Sequence, residues 1–335
     1  MTIRLQSPVY YLELAGEDDR FAVAEALLAV SEPEMLAPGV VGVSRVDHRL
    51  AERLSMTRRV IEAVVDTTGD LELFLEAIES SEFNREGTIA VRATSVRGQA
   101  SVDVPTIEHA VGAILTERGF KVNLDEPDHV FRVLISDNGT NSYFGGWVTV
   151  TPERNYGARR PPHRPFKQPG TMRPQLARAL VNLSGVKAGE RLLDPMCGAG
   201  AILTEAALIG ATPIGVDVQT KMVTGTRENI RAFAADGPCP VLVQGSATAL
   251  PIKMADAAVF DAPYGRQSPV GFESAPGLVR ATLHELHGLV ERCVAVFDEP
   301  LEHYVESAGW TVVDRFDRRV HRSLTRYITI LERSN

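Results

Sequence analysis

The sequence predicts an α/β protein in two parts, with a doubly wound parallel sheet in the C-terminal half and an α+β N-terminal half. Three observations predict it. Strand-like and helix-like segments alternate in long units after residue 190, short helices and strands intermingle before residue 150, and a proline-rich segment at 151–170 lies between them. The chain has 335 residues, which is enough for two domains.

Short helices and strands are mixed in the N-terminal half. Apolar residues behind an acidic first turn predict a helix at 18–30, and similar patterns predict helices at 70–80 and from Pro105 to Gly119. Runs rich in β-branched and aromatic residues predict strands at 9–14, 39–43, 59–66, 88–96, 130–135 and 143–150. This mixture indicates one or two small layers of helices on an antiparallel sheet.

The C-terminal half alternates strands with helices. Strands are predicted at 191–194, 212–218, 241–245 and 257–261, and helices at 201–210 and 219–235. Parallel neighbours need crossover connections, so this order favours a parallel sheet covered by helices on both faces. The last two strands, 310–316 and 326–332, are too close in sequence for a crossover helix, which predicts an antiparallel hairpin at the sheet edge.

A basic, proline-rich segment joins the halves. Five of the 20 prolines lie at 151–170, so this segment can be neither a helix nor a central strand. The stretch from Arg154 to Arg178 contains seven basic and no acidic residues. Because the whole chain has a net charge of −8, the remaining residues carry a net charge of −15. A second group of arginines lies between Arg315 and Arg326. Both groups are either solvated charges or contacts for the phosphates of a polyanion.

The composition indicates a globular chain in a reducing compartment. Hydrophobic residues make up 44% and charged residues 23%, which excludes wholesale disorder. Cys197, Cys239 and Cys293 are an odd number without C-x-x-C spacing, so they predict neither a disulfide framework nor a zinc site. The N-terminus lacks the apolar core of a signal peptide, and no apolar run is long enough for a membrane helix. We therefore expect a cytoplasmic protein without a membrane partner.

A glycine-bearing loop follows the first strand of the C-terminal half, where open α/β sheets bind ligands. Gly198 and Gly200 allow close approach of the backbone, but Leu203 stands where a dinucleotide fingerprint has its third glycine. No basic residue lies between Arg191 and Lys221, so the loop is not a P-loop.

The charges of this loop favour a cationic ligand. Asp194, Glu205 and Asp217 lie in the same stretch, and a pocket beside them suits a cation such as the sulfonium of S-adenosylmethionine better than a pyrophosphate. Asp217 ends the second strand, where a carboxylate can bind the hydroxyl groups of a ribose.

A second loop, Asp261-Ala-Pro-Tyr-Gly265, closes a later strand of the same sheet. Such a string can be a simple turn, but its position beside the cofactor loop gives it a chemical role. The Asp261 carboxylate and a carbonyl of Ala262 or Pro263 can accept both N–H groups of an exocyclic amine and aim its lone pair at a methyl group. Tyr264 offers a ring for stacking a flipped base.

These segments together resemble the THUMP-containing tRNA guanine-N2 methyltransferases, most closely the archaeal type that acts at tRNA position ten. The resemblance rests on RPPHRPFKQPGTMRPQLARALVNLSG, LLDPMCGAGAILTEAAL, DAPYG and the late VHRSLTRYI. It covers residues 56–335 well and the first 55 residues more weakly. It implies a Rossmann-like, S-adenosylmethionine-dependent enzyme that binds tRNA. We infer no obligate protein partner from the sequence. The implied domains are ferredoxin-like (1–55), THUMP (56–150), linker (151–172) and methyltransferase (173–335).

The resemblance also implies roles for individual positions. The residues matching the cofactor site are Phe166, Met172, Asp194, Met196, Cys197, Gly198, Gly200, Asp217, Val218, Ser246 and Ala247. The residues matching the catalytic motif are Asp261, Ala262, Pro263 and Tyr264. The two basic groups, and not the resemblance, supply the expected contacts to tRNA, which are Arg159, Arg160, Arg164, Lys167, Arg319 and Arg322.

Two positions depart from the family pattern. Ala262 replaces the first proline of D-P-P-Y, and Ser246 replaces an aspartate that binds the adenine amino group. Three alternatives stay open on the sequence: the same reaction at another tRNA guanosine such as position six, a catalytically impaired tRNA-binding homologue, and a DNA adenine or protein glutamine methyltransferase.

Overall fold

The structure, a computed structural model, describes residues 8–98, 100–263, 275–300, 302–321 and 324–334. It separates the chain into two units, Met1–Glu153 and Arg154–Asn335. Asp261, Ala262 and Pro263 of the predicted catalytic motif are described, whereas Tyr264 and the predicted RNA contact Arg322 lie outside the described residues.

The first unit contains the mixed elements that the sequence predicts. Its helices are α1 (Asp19–Ala26), α2 (His48–Ala51), α3 (Leu71–Glu79) and α4 (Val104–Glu117). Its strands are β1 (Tyr10–Leu14), β2 (Val30–Ser31), β3 (Glu34–Ala37), β4 (Val40–Val43), β5 (Arg45–Val46), β6 (Thr57–Thr68), β7 (Thr88–Ser95), β8 (Lys121–Val122), β9 (His129–Asp137) and β10 (Asn141–Val150).

Eight of these strands form one sheet in the order β3-β4-β1-β6-β10-β9-β7-β8. The expected antiparallel pairing holds for the first six strands in this order, from β3 to β9. It is wrong for β7, which pairs in parallel with both β8 and β9. The reason is that α4 carries the chain back between β7 and β8, so these strands start from the same end. Strand β6 pairs with β1 on one side and β10 on the other, so residues before and after position 55 share this sheet.

Helices α3 and α4 bury their apolar faces against this sheet. Phe74 of α3 and Val111 of α4 lie in one cluster with Phe131 of β9, and all three are fully buried. A second cluster contains Tyr11 and Phe144. The sheet therefore anchors a core through alternate residues of its strands.

The second unit contains the alternating elements. Its helices are α5 (Pro174–Leu183), α6 (Ala201–Leu208), α7 (Thr220–Phe233), α8 (Ala275–His287) and α9 (Glu302–Val305). Its strands are β11 (Arg191–Asp194), β12 (Thr212–Asp217), β13 (Val241–Gln244), β14 (Ala257–Asp261), β15 (Arg292–Phe297), β16 (Trp310–His321) and β17 (Leu324–Arg333).

These strands form a sheet in the order β13-β12-β11-β14-β15-β17-β16. The pairs from β13 to β15 are parallel, and β17 pairs antiparallel with both β15 and β16. The predicted doubly wound sheet and its closing hairpin are therefore confirmed. Since β11 lies between β12 and β14, the loops that follow these three strands meet at one edge of the sheet.

Helices α4 and α7 have 14 residues each, which corresponds to about 21 Å at 1.5 Å per residue. In the described part of the chain, no helix has the length and apolar character that crossing a membrane requires.

Candidate active site

Two glycines shape the loop between β11 and α6. Gly198 has φ +50° and Gly200 has φ +72°, a region in which side chains are strained. A Cβ at Gly200 would also lie 2.6 Å from Cγ2 of Thr226. The Cys197 N–H donates to the carbonyl of Val216 at 3.0 Å, which ties the loop to β12. Glycine is therefore required for both the turn and the approach to α7.

Asp217, at the end of β12, holds the same loop. Its Oδ2 accepts from the Gly198 N–H at 3.0 Å and its Oδ1 from the Gln219 N–H at 2.9 Å. Burial raises the pKa of Asp217, and these two N–H groups oppose that rise. Each carboxylate oxygen can accept a further hydrogen bond, so Asp217 remains able to bind a hydroxyl group.

A cavity of about 310 Å³ opens where three segments meet. Its lining comes from residues 168–172, where the proline-rich segment ends, from the β11–α6 loop with the start of α6, and from the end of β14. The predicted site residues that the structure brings together here are Met172, Asp194, Met196, Cys197, Gly198, Asp261, Ala262 and Pro263.

The cavity is acidic. Its described lining contains Asp194 and Asp261 and no Lys, Arg or His. Asp194 is 2% exposed, and burial raises its pKa well above the usual range, with the nearby Asp217 and Asp261 adding to that rise and the Met196 N–H opposing it. Burial likewise raises the pKa of the Cys197 thiol, so this thiol is not a ready nucleophile. A cationic ligand would relieve the mutual repulsion of these carboxylates.

Asp261 presents one free carboxylate oxygen. Its Oδ1 is buried and has no hydrogen-bond partner among the described residues. Its Oδ2 accepts from Nη2 of Arg326 at 3.4 Å. Burial raises the pKa of Asp261 to about 7; Arg326 opposes the rise and Asp298 adds to it. Asp261 can therefore change its protonation state near neutral pH.

Sequence reasoning missed the contact of Arg326 with Asp261. It counted Arg326 only as a member of a basic group, because the residues are 65 positions apart. The available signal was the hairpin itself, which the short sequence separation of its two strands placed at the edge of the parallel sheet.

The aromatic ring of Phe166 lies on α7 rather than in the cavity lining. The backbone N–H of Phe166 donates to Oδ1 of Asn229, and its carbonyl accepts from Nδ2 of the same side chain, both at 3.0 Å. Gly225 gives the ring room, since a Cβ there would lie 2.1 Å from the ring. Asn229 and Gly225, which sequence reasoning did not single out, thus fix this part of the proline-rich segment.

Three other predicted cofactor residues lie at the neighbouring strand ends. Val218 follows β12 and is half exposed. Ser246 and Ala247 follow β13, whose end is joined to β12 by the hydrogen bond from the Gly245 N–H to the Asp217 carbonyl at 3.0 Å. The Ser246 hydroxyl is engaged locally with Thr248. These residues share the edge of the sheet with Asp217, but they do not line the cavity.

The burial of Arg159 and Arg164 does not support their predicted contacts with RNA. They are only 5% and 2% exposed, and Nε of Arg164 donates to the carbonyl of Arg159. Nε of Arg159 binds Oε1 of Glu205 at 2.8 Å, and Arg178 binds Oε2 at 3.0 Å. Glu205 on α6 draws these guanidinium groups inward, so they cannot meet a phosphate at the surface.

The remaining described basic candidates are exposed. Arg160 and Lys167 lie at the surface of the proline-rich segment, and Arg319 lies at the surface of β16. These side chains are available to a polyanion.

Comparisons with known proteins agree with this arrangement. Residues 161–328 match the model of the RMKL-like methyltransferase domain, and residues 67–141 match the THUMP domain. The chain is 36% identical over 293 residues to the tRNA (guanine(10)-N2)-dimethyltransferase of Methanothermobacter thermautotrophicus, covering 85% of this chain and 84% of that protein. It is 29% identical to the enzyme of the same name from Pyrococcus abyssi, and that match covers 97% of this chain and 99% of the Pyrococcus protein.

Among solved structures, TrmN from Thermus thermophilus has the same fold. The TM-score is 0.55 at 22% identity, and the match covers 97% of this chain and 99% of that one. Both the sequence and the fold confirm the predicted resemblance, and the chain belongs to the family of THUMP-containing, RMKL-like methyltransferases that includes the archaeal tRNA (guanine(10)-N2)-dimethyltransferases.

Proposed function

We propose that the protein transfers methyl groups from S-adenosylmethionine to the exocyclic N2 of guanosine at tRNA position ten, once and then a second time. The observation that carries this proposal is the acidic cavity that joins the β11–α6 loop to Asp261. The names of the relatives supply the substrate and the position.

The cavity suits the proposed cofactor. When bound, S-adenosylmethionine supplies an electrophilic methyl group on a positively charged sulfur. Asp194 provides a buried carboxylate whose ionised form a sulfonium would favour, and Asp217 provides acceptors for ribose hydroxyls. The adjoining walls come from Met172, Met196, Cys197 and Gly198. The residues that support or border this site are Phe166, Gly200, Val218, Ser246 and Ala247.

Asp261 and Ala262 would orient the guanine amine. Oδ1 of Asp261 accepts one N–H and the Ala262 carbonyl accepts the other, which directs the nitrogen lone pair away from the ring and toward the methyl group. As the nitrogen gains the methyl group it loses one proton, which Asp261 accepts and then releases to water. Pro263 stiffens this loop, and Tyr264 is the proposed stacking residue for the flipped base.

The other parts of the chain would place the tRNA. We assign residues 1–55 to a ferredoxin-like domain, 56–150 to THUMP, 151–172 to the linker and 173–335 to the methyltransferase domain. Arg160, Lys167, Arg319 and Arg322 are the proposed phosphate contacts. We place the reaction in the cytoplasm.

Incubation with an unmodified tRNA transcript and labelled S-adenosylmethionine tests the proposal. We expect N2-methylguanosine and N2,N2-dimethylguanosine after nucleoside digestion, mapped to position ten. A matched tRNA with inosine at position ten lacks the exocyclic amine and should accept no label there. Label at position six would assign the alternative site, label on duplex DNA would assign a different class of enzyme, and cofactor binding without any product would indicate a catalytically inactive homologue.

A further inference from the structure

Arg326 and Asp261 reach each other across three neighbouring strands. Asp261 of β14 pairs with Val296 of β15, and Val296 pairs with Ile328 of β17. Residues in register point to the same face of a sheet, as do residues two positions apart on one strand. Arg326 lies two positions before Ile328, so the backbone alone places its side chain on the face that carries Asp261.

The contact involves only one side of the carboxylate. Arg326 is 8% exposed, and its Nη2 lies 3.4 Å from Oδ2 of Asp261. Oδ1 has no partner among the described residues, although it is buried. An unpaired buried acceptor is costly, and its presence beside a cavity indicates a donor that arrives from outside.

We propose that Arg326 is a positioning residue that holds Oδ2 of Asp261 and thereby presents Oδ1 to the amine of the substrate. The role rests on the proposed function, because the amine is that of the target guanosine. A single guanidinium contact fixes the rotation of the carboxylate without using both of its acceptors.

The charge of Arg326 adds a second effect. Among the described residues, three charged groups face Asp261 from the elements around it: Arg326 on β17, Asp298 after β15 and Asp194 at the end of β11. Phe297 of β15 pairs with Tyr327 of β17, so the next residue of β15, Asp298, lies near Arg326, which precedes Tyr327. Arg326 lowers the pKa of Asp261, whereas Asp298 raises it. Arg326 therefore shifts Asp261 toward the ionised form, the stronger acceptor, in a site whose burial and other charges favour the protonated form.

Replacement of Arg326 should change the pH dependence and not only the rate. With Arg326→Gln, the midpoint of the rising limb of the single-turnover rate should move above pH 7 by about one unit or more. The rate at neutral pH should fall about fivefold or more and recover in part at alkaline pH. Arg326→Lys should keep the wild-type midpoint, whereas Asp298→Asn should lower it.

Two further variants control the experiment. Arg333→Gln removes an exposed arginine of the same strand, whose partner is Glu291, and should leave the profile unchanged. Arg326→Met keeps the apolar stem without the charge and replaces Arg326→Gln if the latter does not fold. An equal loss of rate at every pH, or the same midpoint in the Lys and Gln variants, would overturn the proposed role.

The titration of Asp261 can also be followed without activity. In ¹³C-aspartate-labelled protein, the NMR signal that disappears in Asp261→Asn is that of the Asp261 carboxyl group. The titration midpoint of this signal should rise in Arg326→Gln and stay the same in Arg326→Lys. If wild type methylates no tRNA, the proposed function fails, but this titration still tests Arg326. An unchanged midpoint in Arg326→Gln would refute its effect on Asp261.

Discussion

Arg159 and Glu205 form an ion pair inside the methyltransferase unit, with 2.8 Å between Nε and Oε1 and almost no exposure of either side chain. Arg178 binds the other carboxylate oxygen. Burial lowers the pKa of Arg164, which lies close enough to the cluster for Glu205 to oppose this fall and for Arg159 to add to it. One carboxylate thus faces three guanidinium groups, of which two come from the proline-rich segment. This cluster fastens that segment to α6 and, through it, holds residues 168–172 at the cavity.

Neutralising Glu205 should destabilise the protein. Glu205→Gln leaves buried arginines without a counter-charge, so we expect a loss of about 3–5 kcal/mol in the free energy of unfolding, measured by urea denaturation. Glu228→Gln, on the exposed side of α7, should change it by less than about 0.5 kcal/mol. Equal effects of the two variants would show that the cluster contributes little.

The same cluster shows why the exposed basic residues could not be identified from the sequence. Seven basic residues without an acidic neighbour predicted a phosphate-binding surface, but the neutralising carboxylate is 46 positions further along the chain. Arg159 and Arg164 face inward because of Glu205, and no local pattern separates them from exposed Arg160. The missed contact of Arg326 with Asp261 has the same cause, since strand pairing sets it.

Much of the fold and the position of the cofactor loop were easier to predict from the sequence than these side-chain contacts. The pattern for β11, α6 and β12 is local, and glycines with positive φ mark the turn between them, so the cofactor loop could be placed before the structure. The parallel pairing of β7 could not, because it depends on the path of α4 over the sheet. Helices α5 and α8 were also not predicted. Strand β15 was missed because it is almost entirely buried, so its sequence lacks the alternation that marks a strand with one exposed face.

Neutralising the two exposed basic residues of the proline-rich segment should weaken tRNA binding. Replacing Arg160 and Lys167 together with Gln should reduce the slope of log K against log salt by about 2, as expected for two lost phosphate contacts. Filter binding over a salt series measures this slope. Gln at Lys187 and Arg231, which are also exposed, is the matched control and should leave it unchanged. An unaltered slope in the first variant would assign Arg160 and Lys167 to a solvated surface.

Removing the Asp261 carboxylate should abolish methyl transfer. In Asp261→Ala the single-turnover rate should fall by about 100-fold or more, because the acceptor for the amine is lost. The affinity for S-adenosylmethionine, measured by calorimetry, should stay nearly the same. Asp256→Ala breaks an exposed pair with Arg191 before the same strand and should keep the wild-type rate. A parallel loss of rate and cofactor affinity in Asp261→Ala would mean that Asp261 serves mainly to bind the cofactor.

Binding of the cofactor should depend on pH through Asp194. Burial raises the pKa of Asp194, so part of its population is protonated where a free aspartate is ionised. A sulfonium favours the ionised form, and its binding therefore releases protons and strengthens as pH rises. Calorimetry in buffers of different ionisation enthalpy counts these protons.

The neutral thioether product provides the matched ligand for this prediction. S-adenosylhomocysteine lacks the positive charge, so its affinity should rise less with pH. Asp194→Asn should weaken binding of S-adenosylmethionine more than binding of the product, because the amide keeps the size of the side chain but removes its charge. If both ligands lose affinity equally in Asp194→Asn, the carboxylate shapes the cavity, and the preference for a cation arises elsewhere.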